Sequence, residues 1–146
     1  MICGRIQLHI TSLLIASALC GCGANLYDPK LATRAYPEAL VQSEVVQIQA
    51  VPKETTLQII NATATQYNNI DVWVNRRFVQ HVDVLLPGQT IELQIDKFRD
   101  VWGQCPQPGV FWRTRAPTPL VLVQIQRSES TTLVGLVTVV PEDARY

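Results

Sequence analysis

The sequence is poor in the groups that usually announce chemistry. Its 12 basic and 12 acidic residues cancel, and no charge run exceeds two residues. A nucleic-acid surface normally appears as a basic stripe, so that class of partner is excluded. The chain has two histidines, His9 and His81, and four cysteines, Cys3, Cys20, Cys22 and Cys105. Structural zinc sites need four such ligands. Past residue 22 only Cys105 and His81 remain, so no metal is expected. There is no glycine-rich phosphate loop and no nucleophile-elbow motif. A hydrolase reading would have to use His81, which shares a strand face with Asp83, and a serine brought in by folding. No catalytic residue is assigned, and the chain is read as non-enzymatic.

Long apolar runs are also missing. The longest, Ile6 to Gly21, is 16 residues, or about 24 Å as a helix. That falls short of a hydrocarbon core of roughly 30 Å, and His9, Thr11 and Ser12 weaken a spanning segment further. What is present instead is the layout of a secretory signal. Arg5 is the only formal charge before Asp28, the apolar run follows it, and small residues end it.

The end of the run, Leu19-Cys20-Gly21-Cys22, resembles the lipobox of bacterial lipoproteins: an aliphatic residue, two mostly small residues, then cysteine. Leu19 matches the aliphatic position, Gly21 the small one and Cys22 the acceptor. Cys20 departs from the pattern, standing where a small residue is usual. The resemblance implies a diacylglycerol on the Cys22 sulfur and cleavage between Gly21 and Cys22 by type II signal peptidase. Acylation of the new amino group would follow. The chemistry calls for cysteine because a thiolate is the nucleophile. Two or more acyl chains anchor stably where one does not. The competing readings are a cleaved signal with a chance cysteine and an uncleaved anchor. Gly23, rather than aspartate, after the acceptor implies the outer membrane, facing the periplasm, in a cell that has one.

Cleavage would remove 21 residues and leave 125 of the 146, with 11 basic and 12 acidic. That length is one domain. The expected organisation is a signal helix over 1–21, a lipidated flexible tether over 22–42 and a folded domain over 43–146. With Cys22 lipidated, Cys105 is either buried or pairs between chains.

From Ser43 the pattern is period two. Ile70, Val72 and Val74 alternate with Asp71, Trp73 and Asn75, and Ile91, Leu93 and Ile95 with Glu92, Gln94 and Asp96. Such alternation buries one face of a strand and wets the other. Leu133 to Val140 is nearly continuous and fits a strand covered on both faces. Asn75-Arg76 predicts a tight hairpin, or a longer turn because Arg77 stands where glycine is common, and Pro87-Gly88 predicts a type II turn. The fold class expected is all-β: an antiparallel sandwich of about seven strands. Leu85 to Ile91 looks like the inter-sheet turn of immunoglobulin-like and fibronectin type III domains. The paired cysteines and core tryptophan that frame true immunoglobulin domains are absent.

The segment from Phe98 to Pro119 breaks the pattern. It holds Arg99, Trp102, Phe111, Trp112, Arg113 and Arg115. Long irregular segments are often functional, and tryptophan and arginine dominate binding hot spots. It reads either as a partner or glycan-binding loop or as a crossover whose aromatics close the core. Asp96 and Asp100 lack the spacing of a calcium loop. The sequence thus predicts a lipid-anchored envelope protein acting through an unidentified envelope partner. The alternatives are a wall-polymer-binding module using Trp102 and Trp112, and a hydrolase using His81.

Overall fold

A computed structural model describes residues 27–109, 116–128 and 130–139. Gly21 and Cys22, the signal segment, and Phe111, Trp112, Arg113 and Arg115 lie outside the described residues. Seven strands form: β1 (Val41–Pro52), β2 (Thr56–Asn61), β3 (Tyr67–Val74), β4 (Phe78–Leu85), β5 (Thr90–Gln94), β6 (Val123–Arg127) and β7 (Thr132–Thr138). The β-branched, period-two runs of the sequence supply all of them. Two single 3-10 turns, Pro29–Leu31 and Ile95–Lys97, are the only helical pieces among the described residues.

The strands make one sheet in the order β4-β3-β6-β7-β1-β2-β5. It is mixed, which corrects the wholly antiparallel expectation. β1 runs parallel to β7, from Val41 opposite Thr132 to Ala50 opposite Thr138, and antiparallel to β2 from Ile48 opposite Asn61 to Pro52 opposite Leu57. A parallel pair needs a long crossover, and here almost the whole domain lies between its strands. β1 shifts register twice against β7, between Gln42 and Glu44 and between Val46 and Gln49. Its 12 residues pair with β7 from Val41 to Ala50 and with β2 from Ile48 to Pro52.

The sheet must curl. Six inter-strand gaps of about 4.8 Å would set the edges of a flat sheet about 29 Å apart. Yet edge strand β4 leads straight into edge strand β5, and the link from Leu85 to Thr90 spans at most about 18 Å. The result is nearly barrel-shaped. Among the described residues no helix covers the apolar face, yet Ile48, Leu57, Ile59 and Ile70 are fully buried, so the sheet covers itself. Its core also takes Phe98, the first residue of the irregular segment, and Leu120, just past its end. Pro87-Gly88 forms the expected turn: Gly88 has φ +70°, and Gln89 N–H donates to the Leu86 carbonyl at 3.1 Å. Asn61 holds this turn from inside, its side-chain amide donating to the Leu86 and Thr65 carbonyls at 2.9 Å. The Asn61 side chain is buried, and its amide nitrogen makes both of these bonds.

The segment expected to be a free tether is docked from Tyr27 onward. Tyr27 bridges to Gln104, and Thr33 N–H donates to the Asp100 carbonyl at 2.9 Å. Tyr36 and Leu40 pack with Trp73, Val79 and Leu133 in a second apolar cluster on the outer face of the sheet. Trp73, placed by alternation on a wetted face, is fully buried there. Leu133 in this cluster, with Val134 and Leu136 in the main core, makes β7 covered on both faces, as its composition predicts.

Candidate functional site

Two constellations gather the side chains of chemical interest. The first is the turn at 99–104, the described start of the irregular segment. Asp100 is its hub and is buried. One carboxylate oxygen accepts from the backbone N–H groups of Trp102 and Gln104, each at 2.9 Å. The other accepts from Arg77 Nε at 2.9 Å and its terminal nitrogen at 2.7 Å. Burial by itself would raise the Asp100 pKa. The Arg77 hydrogen bond, the two backbone N–H groups and the Arg77 charge outweigh it and hold the carboxyl below its ordinary value. Both oxygens thus accept from N–H donors. Among the described residues no group of three or more histidines, cysteines and acids is placed to hold a metal.

Arg77 is in turn sandwiched, its guanidinium 4.8 Å from the Phe78 ring centroid and 5.6 Å from that of Trp102. Gly103 closes the turn with φ +77°, and a Cβ there would run into the Asp28 carbonyl. That close approach, with Asp28 N–H donating to the Gly103 carbonyl at 3.2 Å, clamps residues 27–32 against the turn. Of the loop residues singled out in the sequence, Trp102 is exposed. Arg99 is not displayed in the same way. It bridges to Val79, and its guanidinium turns back onto the Asp96 and Phe98 carbonyls. Cys105 is buried.

The second constellation lies on the outer face of β3, β4 and β6. Antiparallel register sets Asp71 opposite His81 and Gln126. His81 Nδ1 is 2.8 Å from one Asp71 oxygen, and Nε2 is 3.4 Å from Asp83. The other Asp71 oxygen takes Arg34, which also donates to Gln126 at 2.8 Å and lies over Trp73. Trp73 Nε1–H donates to Gln126 at 3.2 Å, and the Tyr36 hydroxyl to Gln124 at 2.8 Å. Both ring nitrogens of His81 therefore meet carboxylates rather than a hydroxyl. The arrangement binds the docked N-terminal segment to the sheet.

Sequence reasoning missed Arg77, Arg34, Tyr27 and Leu31. Arg77 and Asp100 lie 23 residues apart, and neither sits in a motif. A third feature, an open cleft of about 520 Å³, is lined by residues that include Tyr67, Asn69, Arg127 and Ser130. There Arg127 stacks on the Tyr67 ring at 4.8 Å. Compared with protein-family models, curated proteins and solved structures, the chain matches none.

Proposed function

We propose that this chain is a cell-envelope lipoprotein, acylated on Cys22, whose β body works by contact with an envelope protein. The observation that carries the reading is Leu19-Cys20-Gly21-Cys22 at the end of a short apolar run, five residues ahead of the point where the chain is held to its body. An anchor so placed keeps the body at a membrane surface; the outer membrane, facing the periplasm, is the site where a cell has one. A contact role is supported by the polar groups themselves: Asp100 is tied to Arg77, and Asp71 to Arg34 and His81, so each acts as scaffold. The body is read as an immunoglobulin-like sandwich. In that reading β1 joins a β1-β2-β5 layer to a β4-β3-β6-β7 layer, and the Pro87-Gly88 turn passes between them.

The test is Cys22→Ala. The expected outcome is loss of fatty-acid labelling and accumulation of the uncleaved precursor. Labelled and processed mutant protein refutes the anchor. Cross-linking of the acylated protein in intact cells then identifies the partner, and the absence of any cross-linked envelope protein refutes the contact role.

A further inference from the structure

Lipidation at Cys22 would do more than tether this body, because the chain that follows is short. Four residues lie between Cys22 and Tyr27, so the five steps span at most about 18 Å of extended backbone. Tyr27 is already fixed to Gln104, and Asp28 to Gly103. Whatever holds Cys22 at a bilayer therefore holds the 99–104 turn close to it. The side chains at that end have the character such a position favours. Trp102 is 59% exposed, Tyr27 46% and Leu31 46%. Tryptophan and tyrosine are the residues of membrane–water interfaces, with one apolar part and one polar tip. Among the described residues the other large exposed apolar side chains, such as Val41, Val45 and Val121, are aliphatic.

The charges fit as well. Asp100 is buried and neutralised by Arg77. Asp28 is half-buried, and its side chain caps the 3-10 turn by accepting from Lys30 N–H at 3.0 Å. Lys30 itself is exposed and makes no ion pair among the described residues. Basic groups at such a level attract anionic headgroups. We infer that the end of the body formed by Tyr27, Lys30, Leu31 and Trp102 rests on the bilayer, with Trp102 and Leu31 entering the headgroup layer and Lys30 facing anionic lipid. This inference rests on the lipoprotein reading and adds an orientation to it: the Trp102 end faces lipid, and the His81 face and the Tyr67–Arg127 cleft stay open to partners.

The experiment uses the full chain, processed in cells and purified in detergent. It is reconstituted into vesicles of phosphatidylethanolamine and phosphatidylglycerol whose acyl chains carry bromine, a contact quencher of tryptophan. Mass spectrometry first reads the acyl groups on Cys22. The expected result is partial quenching of tryptophan emission by brominated lipid. Trp102→Phe loses the quenched fraction, and Leu31→Gln reduces it. Trp102 is exposed, so its replacement leaves the core intact, which near-ultraviolet circular dichroism checks. Acylated protein whose emission ignores brominated lipid overturns the orientation and leaves the anchor standing. Quenching that survives in Trp102→Phe overturns it too, because another face would then meet the lipid. Protein without acyl mass on Cys22 overturns anchor and orientation together. Protection of Trp102 from aqueous acrylamide without lipid quenching would put a second copy of the chain on this end, and that also overturns the proposal.

Discussion

The two faces of β3 solve the same problem by different means. Ile70, Val72 and Val74 point into the core that the curled sheet closes on itself. Trp73 points the other way and is buried as completely, but its cover is the non-periodic segment around Tyr36 and Leu40. Tyr36 meets it edge-on, with ring centroids 5.4 Å apart. Around that small cluster runs a polar rim: Arg34 with Asp71 and Gln126, Tyr36 with Gln124, and Gln124 with Gln42 at 2.8 Å. The inner face is sealed by area alone. The outer face is sealed by one aromatic plug with hydrogen bonds placed around it. A face of the second kind depends on a few residues, so single substitutions there should act out of proportion to their number.

The largest effect is expected at the plug. Trp73→Ala should destabilise the protein by about 3–5 kcal/mol, as for other fully buried aromatics cut to alanine. Ile59→Ala in the main core should cost about 2–5 kcal/mol. Urea unfolding of both measures the contrast. A further difference is expected in proteolysis: Trp73→Ala should expose the segment from Tyr27 to Leu40 to cleavage, and Ile59→Ala should not do so selectively. If Trp73→Ala costs less than 1 kcal/mol, the outer face is a loosely laid cover and the comparison fails.

The second effect concerns the turn at 99–104. Asp100→Asn keeps an oxygen for the N–H groups of Trp102 and Gln104 but sets an amide N–H against Arg77. The expected cost is about 1–3 kcal/mol, that of a buried polar group left with the wrong partner. The pH dependence has a definite sign. The Asp100 pKa is lowered in the folded protein, so its contribution is present above the unfolded value, near 4. It is lost as pH falls through the folded value. Wild type should therefore lose stability on acidification below about pH 4, and Asp100→Asn should show a smaller loss over that window. Thermal melts across an acid series measure it, and equal slopes for the two proteins would remove Asp100 as the hub.

How far the sequence revealed this fold follows from which forces have a period. All seven strands were legible, because alternation records which side of a strand is buried. The Pro87-Gly88 turn was legible because glycine adopts φ +70° without strain. The parallel β1–β7 pair was not, since alternation says nothing about which strand is the neighbour. Nor was the burial of Trp73, because its cover comes from a segment with no period of its own. The same division holds at the proposed site. Cys22 is proposed from a motif, and Trp102 stood out as an aromatic in an irregular segment. Arg77, Tyr27 and Leu31 join it only through contacts across the fold, such as the bridge from Tyr27 to Gln104.

The smallest effect expected is at Arg76, where local and tertiary preferences oppose each other. The β3–β4 turn has Asn75 at φ +52° and Arg76 at φ +55°, with Arg77 N–H donating to the Val74 carbonyl at 3.1 Å. Both central residues are left-handed, the form that matches the twist of the strands. Asparagine tolerates that region, and arginine is strained in it. Relieving the strain with Arg76→Gly should stabilise by about 0.5–1 kcal/mol. Arg76 also pairs with Glu38 and stacks on Tyr36 at 5.2 Å, so it holds down the cover over Trp73. Pairs as exposed as this one contribute about 0–1 kcal/mol. The two terms nearly cancel, and Arg76→Gly should shift global stability by under about 0.5 kcal/mol. Hydrogen exchange separates them. Amides of the β3–β4 hairpin should be protected as before, while those of residues 36–40 should exchange faster. Uniformly faster exchange in the hairpin would mean that the arginine, despite its backbone angle, serves the turn rather than the cover.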